Sequence, residues 1–134
     1  GAGLPGLVLA ILAPQHHYTL AEKVGKKAKF MEQAAQHLKL NNVTIWPKQV
    51  AELKQRYDLI TCRAWAALDV IVTTTRPLLA PQGVWLLLKG EAVDAELKAC
   101  AASQQMTITR HPSITHAQGV VLTLTPVSRG THTR

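Results

Sequence analysis

Cysteine is nearly missing from this chain: 134 residues contain only Cys62 and Cys100, with no CxxC pair and no histidines at matching spacing. That excludes a disulfide framework and a structural zinc site, and it points to a reducing, cytoplasmic setting. Long apolar runs are missing too. None reaches the roughly 18 residues a membrane-spanning helix needs, so no membrane association is expected. The apolar opening GAGLPGLVLAILAP lacks a basic leader and is not expected to act as a signal peptide. Acidic side chains are scarce, eight Asp and Glu against 15 Lys and Arg, for a net charge of +7 at pH 7 with histidine neutral. The surplus selects for anionic partners: nucleic acid, nucleotides or an anionic surface. There is no GxxxxGK[ST] phosphate loop and no serine nucleophile elbow. The histidines show no metal-ligand spacing on one element, so no metal is expected.

What is present suits one folded domain: 47% hydrophobic and 17% charged residues, with no repeat or linker. Short strands alternate with amphipathic helices. Leu4, Val8 and Ile11 share one face of a helix that follows the glycine-rich start and ends near Pro14. Tyr18-Thr19-Leu20-Ala21 reads as a strand. Val24, Ala28, Met31, Ala35 and Leu38 then give a helix with one buried stripe. Val43 to Trp46 and Leu59 to Cys62 read as strands. Ala66 to Leu79 reads as a helix despite its β-branched Val70 to Thr75 run. Pro81-Gln82-Gly83 predicts a turn into the strand Val84 to Leu88. Val93, Leu97 and Cys100 mark a further helix, and Met106 to His111 and Val120 to Thr125 are two last strands. This alternation predicts an α/β, doubly wound, mostly parallel sheet. The last two strands leave no room for a crossover helix and are expected to pair antiparallel at one edge, an ending typical of class I methyltransferases. Residues 127–134 form a polar tail.

Several residues could carry chemistry. Gly1-Ala2-Gly3-Leu4-Pro5-Gly6 heads a helix, where glycines allow close backbone approach and the helix start favours negative charge; an ordinary turn is the plain alternative. Glu22 stands 19 residues after Gly3 at the end of the next strand, where a carboxylate can hold ribose hydroxyls, or can simply be solvated. Lys23, Lys26, Lys27 and Lys29 crowd the start of the following helix. Cations there oppose the helix dipole, so helix stability does not explain them; a phosphate backbone does, as does a plain solvated face. Arg63 and Lys89 fall at the carboxyl ends of adjacent strands, where open α/β sheets place their ligand crevice. Trp65 could stack nearby or belong to the core.

Taken in order, GAGLPGLVLAI, LAEKVGKKAKFM with HLKLNNV, YDLITCRAWAAL and PLLAPQGVWLLLKG resemble the RsmG/GidB family from residue 1 to about 90, and more weakly to 125. The resemblance implies a bacterial enzyme that uses S-adenosyl-L-methionine to methylate guanine N7 in 16S ribosomal RNA, alone or in the small ribosomal subunit. It implies cofactor contacts at Gly1, Gly3 and Leu4 beside the methionine and sulfonium, Glu22 on the ribose in place of the usual Asp, and Val50-Ala51-Glu52 along the adenine. Arg63 would reach the methionine end or the target, and Cys62 stands where the family has Ser. Gln49 and Ala51 replace residues that are often Arg and Glu. The family's leading Asp-x-Gly strand and preceding helical region do not occur, so residues 1–126 are expected to be a methyltransferase domain incomplete at its N-terminus, lacking its first strand.

Guanine N7 has an in-plane lone pair and no proton to remove. Its methylation requires alignment and desolvation more than a general base. In keeping with this, no Asp/Asn-Pro-Pro-Tyr follows the Asp58-to-Cys62 strand, and no catalytic base is assigned. The RNA contacts expected are Lys23, Lys26, Lys27, Lys29, Arg63 and Lys89. Two other readings are a non-catalytic RNA-binding fragment and a nicotinamide-dependent oxidoreductase, the second disfavoured by the antiparallel last pair.

Overall fold

The computed structural model describes residues 5–63, 67–90, 92–112 and 119–126, with Arg63 entering by its backbone only. The expectations for Gly1, Gly3, Leu4 and Trp65, for the side chain of Arg63 and for the tail lie outside the described residues. The chain divides into two compact units, Gly1–Lys54 and Gln55–Arg134.

In the first unit, α1 (Gly6–Leu12), β1 (Tyr18–Ala21), α2 (Gly25–His37) and β2 (Val43–Trp46) are followed by a 3-10 turn, Val50–Glu52. β1 and β2 pair in parallel from Tyr18–Val43 to Ala21–Trp46, the geometry a crossover helix imposes. Leu7, Leu20, Met31 and Ala35 form the core. The buried stripe of α2 is Ala28, Met31 and Ala35, and the flanking Val24 and Leu38 stay exposed at the helix ends.

α1 packs by its smaller residues as well as Leu7. Its buried face is Gly6, Leu7 and Ala10, whereas Val8 and Ile11 are 42% and 48% exposed. The cause is close packing: a Cβ on Gly6 would lie 2.1 Å from Leu20 Cδ2, so the small residues form the face that reaches β1. Asn42 fastens the far end. Buried, it donates through Nδ2 to the carbonyls of Ala10 (3.1 Å) and His16 (3.0 Å). Asn42→Ala leaves these acceptors without that donor and is expected to lower the free energy of unfolding by about 1–3 kcal/mol. Urea denaturation checks it; unchanged stability would refute the anchoring role.

In the second unit, β3 (Tyr57–Arg63), α3 (Leu68–Thr75), a 3-10 turn (Arg76–Leu78), β4 (Leu79–Lys89), α4 (Val93–Ala99), a second 3-10 segment (Ala101–Gln105), β5 (Met106–Pro112) and β6 (Val120–Pro126) follow in order. The sheet order is β3-β4-β6-β5. β3 and β4 are parallel, and β6 runs antiparallel to both neighbours, as expected of the last pair. The β-branched 70–75 stretch is helical because Leu68, Ile71, Val72 and Thr75 share the face packed on the sheet. Trp85, Leu87, Leu122 and Leu124 lie fully buried beneath it. Trp85 keeps its indole N–H satisfied by donating to Thr75 Oγ1 at 2.9 Å.

β4 starts earlier than its apolar run suggests. The ladder jumps from Tyr57–Leu79 to Leu59–Val84, so the expected Pro81-Gln82-Gly83 turn is an irregularity passed over within the strand. Among the described residues the strands form two sheets, β1-β2 in the first unit and β3-β4-β6-β5 in the second.

Candidate functional site

The first unit gathers its chemistry at the carboxyl ends of β1 and β2. Glu22 follows β1, and its backbone N–H donates to the Trp46 carbonyl at 2.9 Å, so the two strand ends lie side by side. The Glu22 side chain is 9% exposed, and Oε2 accepts the Val24 N–H at 3.0 Å. This bond turns the carboxylate back toward the start of α2. A carboxylate so held can accept hydrogen bonds from the two hydroxyls of a ribose.

After β2, the Val50–Glu52 turn is fixed by two contacts. Gln49 and Glu52 form a capping box, with the Gln49 N–H donating to Glu52 Oε2 at 3.2 Å. The Trp46 indole N–H donates to the Gln49 carbonyl at 2.9 Å, and Lys48 Nζ lies 5.4 Å from the Trp46 ring centroid. Trp46 reads in the sequence only as a strand residue. Its role depends on a contact three residues ahead, to which hydrophobic periodicity is blind. Val50 is half-buried, while Ala51 and Glu52 are exposed, leaving that side of the turn open.

Lys23, Lys26, Lys27 and Lys29 are all exposed, and the first turn of α2 carries no acidic residue to offset them. Phe30, 56% exposed, lies one turn beyond Lys26 and Lys27 on the same helix face.

In the second unit, the backbone of Arg63 ends β3 opposite Leu88 of β4. Lys89 comes next and departs from its expected placement. Its side chain is 8% exposed, and Nζ lies 2.7 Å from Glu96 Oε1. Odd-numbered β4 residues turn toward α3 and α4, as buried Trp85 and Leu87 do, which carries Lys89 to Glu96 of α4. A phosphate could reach it only in competition with that carboxylate, so the expected RNA contact at Lys89 is not supported by its position. Cys62, on the neighbouring strand, has its thiol pushed above the ordinary value of 9.0 by burial, with Lys89 opposing the shift. At neutral pH it is an uncharged, apolar side chain. Among the described residues no three His, Cys, Asp or Glu side chains gather as metal ligands, and no helix is long and apolar enough to cross a membrane.

A solved ribosomal protein L11 methylase from Lactobacillus delbrueckii subsp. bulgaricus is 15% identical, with a TM-score of 0.76 over 96% of this chain and 66% of that one. At that identity the likeness speaks for the fold, which is that of class I methyltransferases. The ribosomal RNA small subunit methyltransferase G of Acidiphilium cryptum is 45% identical over 130 residues, 96% of this chain and 59% of the relative. That of Verminephrobacter eiseniae is 46% identical over 107 residues, 79% of this chain and 45% of the relative. The chain thus spans 59% or less of the length of these two curated relatives. The family described as rRNA small subunit methyltransferase G, GidB, matches residues 1–124. With the family model matched over nearly its whole length and a methyltransferase fold, the chain belongs to the GidB family of rRNA small subunit methyltransferases.

Proposed function

We propose that this chain binds S-adenosyl-L-methionine and, in the whole protein, serves the transfer of its methyl group to N7 of a guanine in 16S ribosomal RNA, in the cytoplasm. The observation that carries the reading is Glu22: a buried carboxylate at the end of β1, oriented by the Val24 N–H and bonded through its backbone to Trp46, whose indole N–H holds the Gln49 carbonyl before the Val50–Glu52 turn. These residues fit the adenosine part of the cofactor. Glu22 would accept the ribose hydroxyls, and Val50 and Ala51 would border the adenine, largely through backbone. Gly1, Gly3 and Leu4 are assigned the methionine side, and Arg63 the methionine end or the target guanine. When bound, the cofactor supplies an electrophilic methyl on sulfur.

The chain's own work is then alignment. N7 presents its lone pair without losing a proton, so no residue need act as a base, and binding the two reactants in line accounts for the rate. The exposed lysines at the start of α2 would attract the RNA backbone. Residues 1–126 are proposed to act as one cofactor-binding domain. Calorimetry with S-adenosylhomocysteine and with NAD, alongside methyl transfer to 16S RNA, tests the assignment. Saturable binding of the first, none of the second, and methyl incorporation are expected. NAD binding would favour an oxidoreductase, and RNA binding without either ligand would favour a non-catalytic module.

A further inference from the structure

We infer that the outer face of α2 is a binding strip for single-stranded RNA, with the Phe30 ring as the platform on which a base stacks. The inference rests on the RNA methyltransferase reading above and adds a contact to the RNA that charge alone does not supply. At about 100° per residue, Phe30 lies within about 60° of Lys26, Lys27, Gln33 and His37 around the helix, and all five are exposed. The buried Ala28, Met31 and Ala35 lie about 100° or more from Phe30. Glu32, the one acid of α2, lies about 160° away, so no carboxylate of the helix interrupts the strip. From Lys26 to His37 the strip runs about 16 Å along the helix axis.

Phe30 is the one phenylalanine of the chain, and it stands in water at 56% exposure. Among the described residues the other exposed large apolar side chains are Val, Ile and Leu, and scattered aliphatics on a surface need no ligand to explain them. Helix stability does not account for Phe30, because Phe is a weaker helix former than the Lys and Gln that flank it. A ring among ammonium groups matches both parts of an unpaired nucleic acid, base faces that stack and phosphates that pair with cations. A duplex would use the lysines but keeps its bases stacked inside. An apolar protein segment would use the ring and leave the lysines idle. An unpaired RNA stretch uses both.

The experiment compares the whole protein with its Phe30→Ala, Phe30→Leu and Phe30→Trp variants. The probes are a purine-rich single-stranded RNA oligonucleotide and the same sequence annealed to its complement. Affinity across a salt series, Tm and tryptophan fluorescence are measured on each protein. Alanine and leucine should each weaken single-strand binding roughly 10- to 100-fold, while tryptophan should bind at least as tightly as the parent. The salt slope should be the same in all four, because the ring neutralises no phosphate. Duplex affinity should not change. Phe30→Ala should melt near the parent, since the ring lies off the core, and the fluorescence added by Phe30→Trp should be quenched by the single strand.

Parental single-strand affinity in Phe30→Ala would overturn the inference. So would a Phe30→Leu variant that binds like the parent, because apolar bulk without a ring face would then suffice. A large fall in Tm with alanine, restored by leucine, would place the ring under another part of the protein and overturn it as well. Binding of S-adenosylhomocysteine is read on the same samples. A parent that binds none of it yet shows the expected order among the Phe30 variants would refute the functional reading alone. Parental affinity in Phe30→Ala, in a protein that transfers methyl groups to RNA, would refute the stacking platform alone.

Discussion

Replacing Glu22 by alanine is expected to weaken S-adenosylhomocysteine binding by roughly 10- to 100-fold, the worth of about 1.5–3 kcal/mol in hydrogen bonds to a charged acceptor. The size of the effect follows from burial. At 9% exposure, Glu22 meets little competing water, so bonds it makes to a ribose are not screened as they would be on an open surface. Alanine also removes the acceptor for the Val24 N–H, and part of any loss could come from a loosened start of α2. Glu22→Gln separates the two contributions. The amide oxygen can still accept from Val24, but it lacks the charge that strengthens the ribose bonds. The expected order of affinity is parent, then Gln, then Ala, with Gln close to the parent in urea denaturation. Calorimetry on the three proteins decides: equal affinities would place the ribose elsewhere, and equal losses in Gln and Ala would assign the whole effect to charge.

The place of Glu22 at the end of β1 is legible in the sequence because strand-end position is a local property. It needs only a strand, a breaker and a count from the glycines. The helices and strands were legible for the same reason. Even the β-branched Val70 to Thr75 stretch showed its buried face through Leu68, Ile71 and Thr75. What the sequence does not show has a common physical origin in contacts between distant elements. In α1, periodicity groups Leu4, Val8 and Ile11 on one face but gives no weight to glycine. The face that packs is the one with little side chain, where Gly6 admits Leu20. Lys89 looked like a crevice cation because strand ends face ligands. Its partner Glu96 belongs to a helix whose placement is tertiary, and Glu96 reveals itself only by accepting from Leu68 as well. Asn42 and Trp46 were hidden likewise. Both make side-chain bonds to backbone carbonyls, and such bonds leave no pattern in hydropathy.

Changing Lys23, Lys26, Lys27 and Lys29 together to glutamine should lower affinity for 16S RNA on the order of 100-fold near physiological salt and flatten the salt dependence. Each phosphate contact releases condensed counterions and contributes about 0.7–0.9 to the slope of log affinity against log salt, so four contacts should remove about three units. The lysines are exposed, and no acid in the first turn of α2 neutralises them. Their cost to the free protein is the second half of the prediction. Cations at the positive end of a helix dipole are unfavourable, so the glutamine variant should melt no lower than the parent. Weaker RNA binding in a protein of equal or greater stability is a signature that general damage to the fold cannot produce. Filter binding across a salt series, with a thermal melt on the same samples, reads both halves. An unchanged slope would mean that the four lysines form only a solvated face. A full loss of slope would mean that no other cation on the chain contacts phosphate. The slope retained after their removal measures what Arg63 and the remaining basic residues contribute, and Lys89, held by Glu96, should have no share in it.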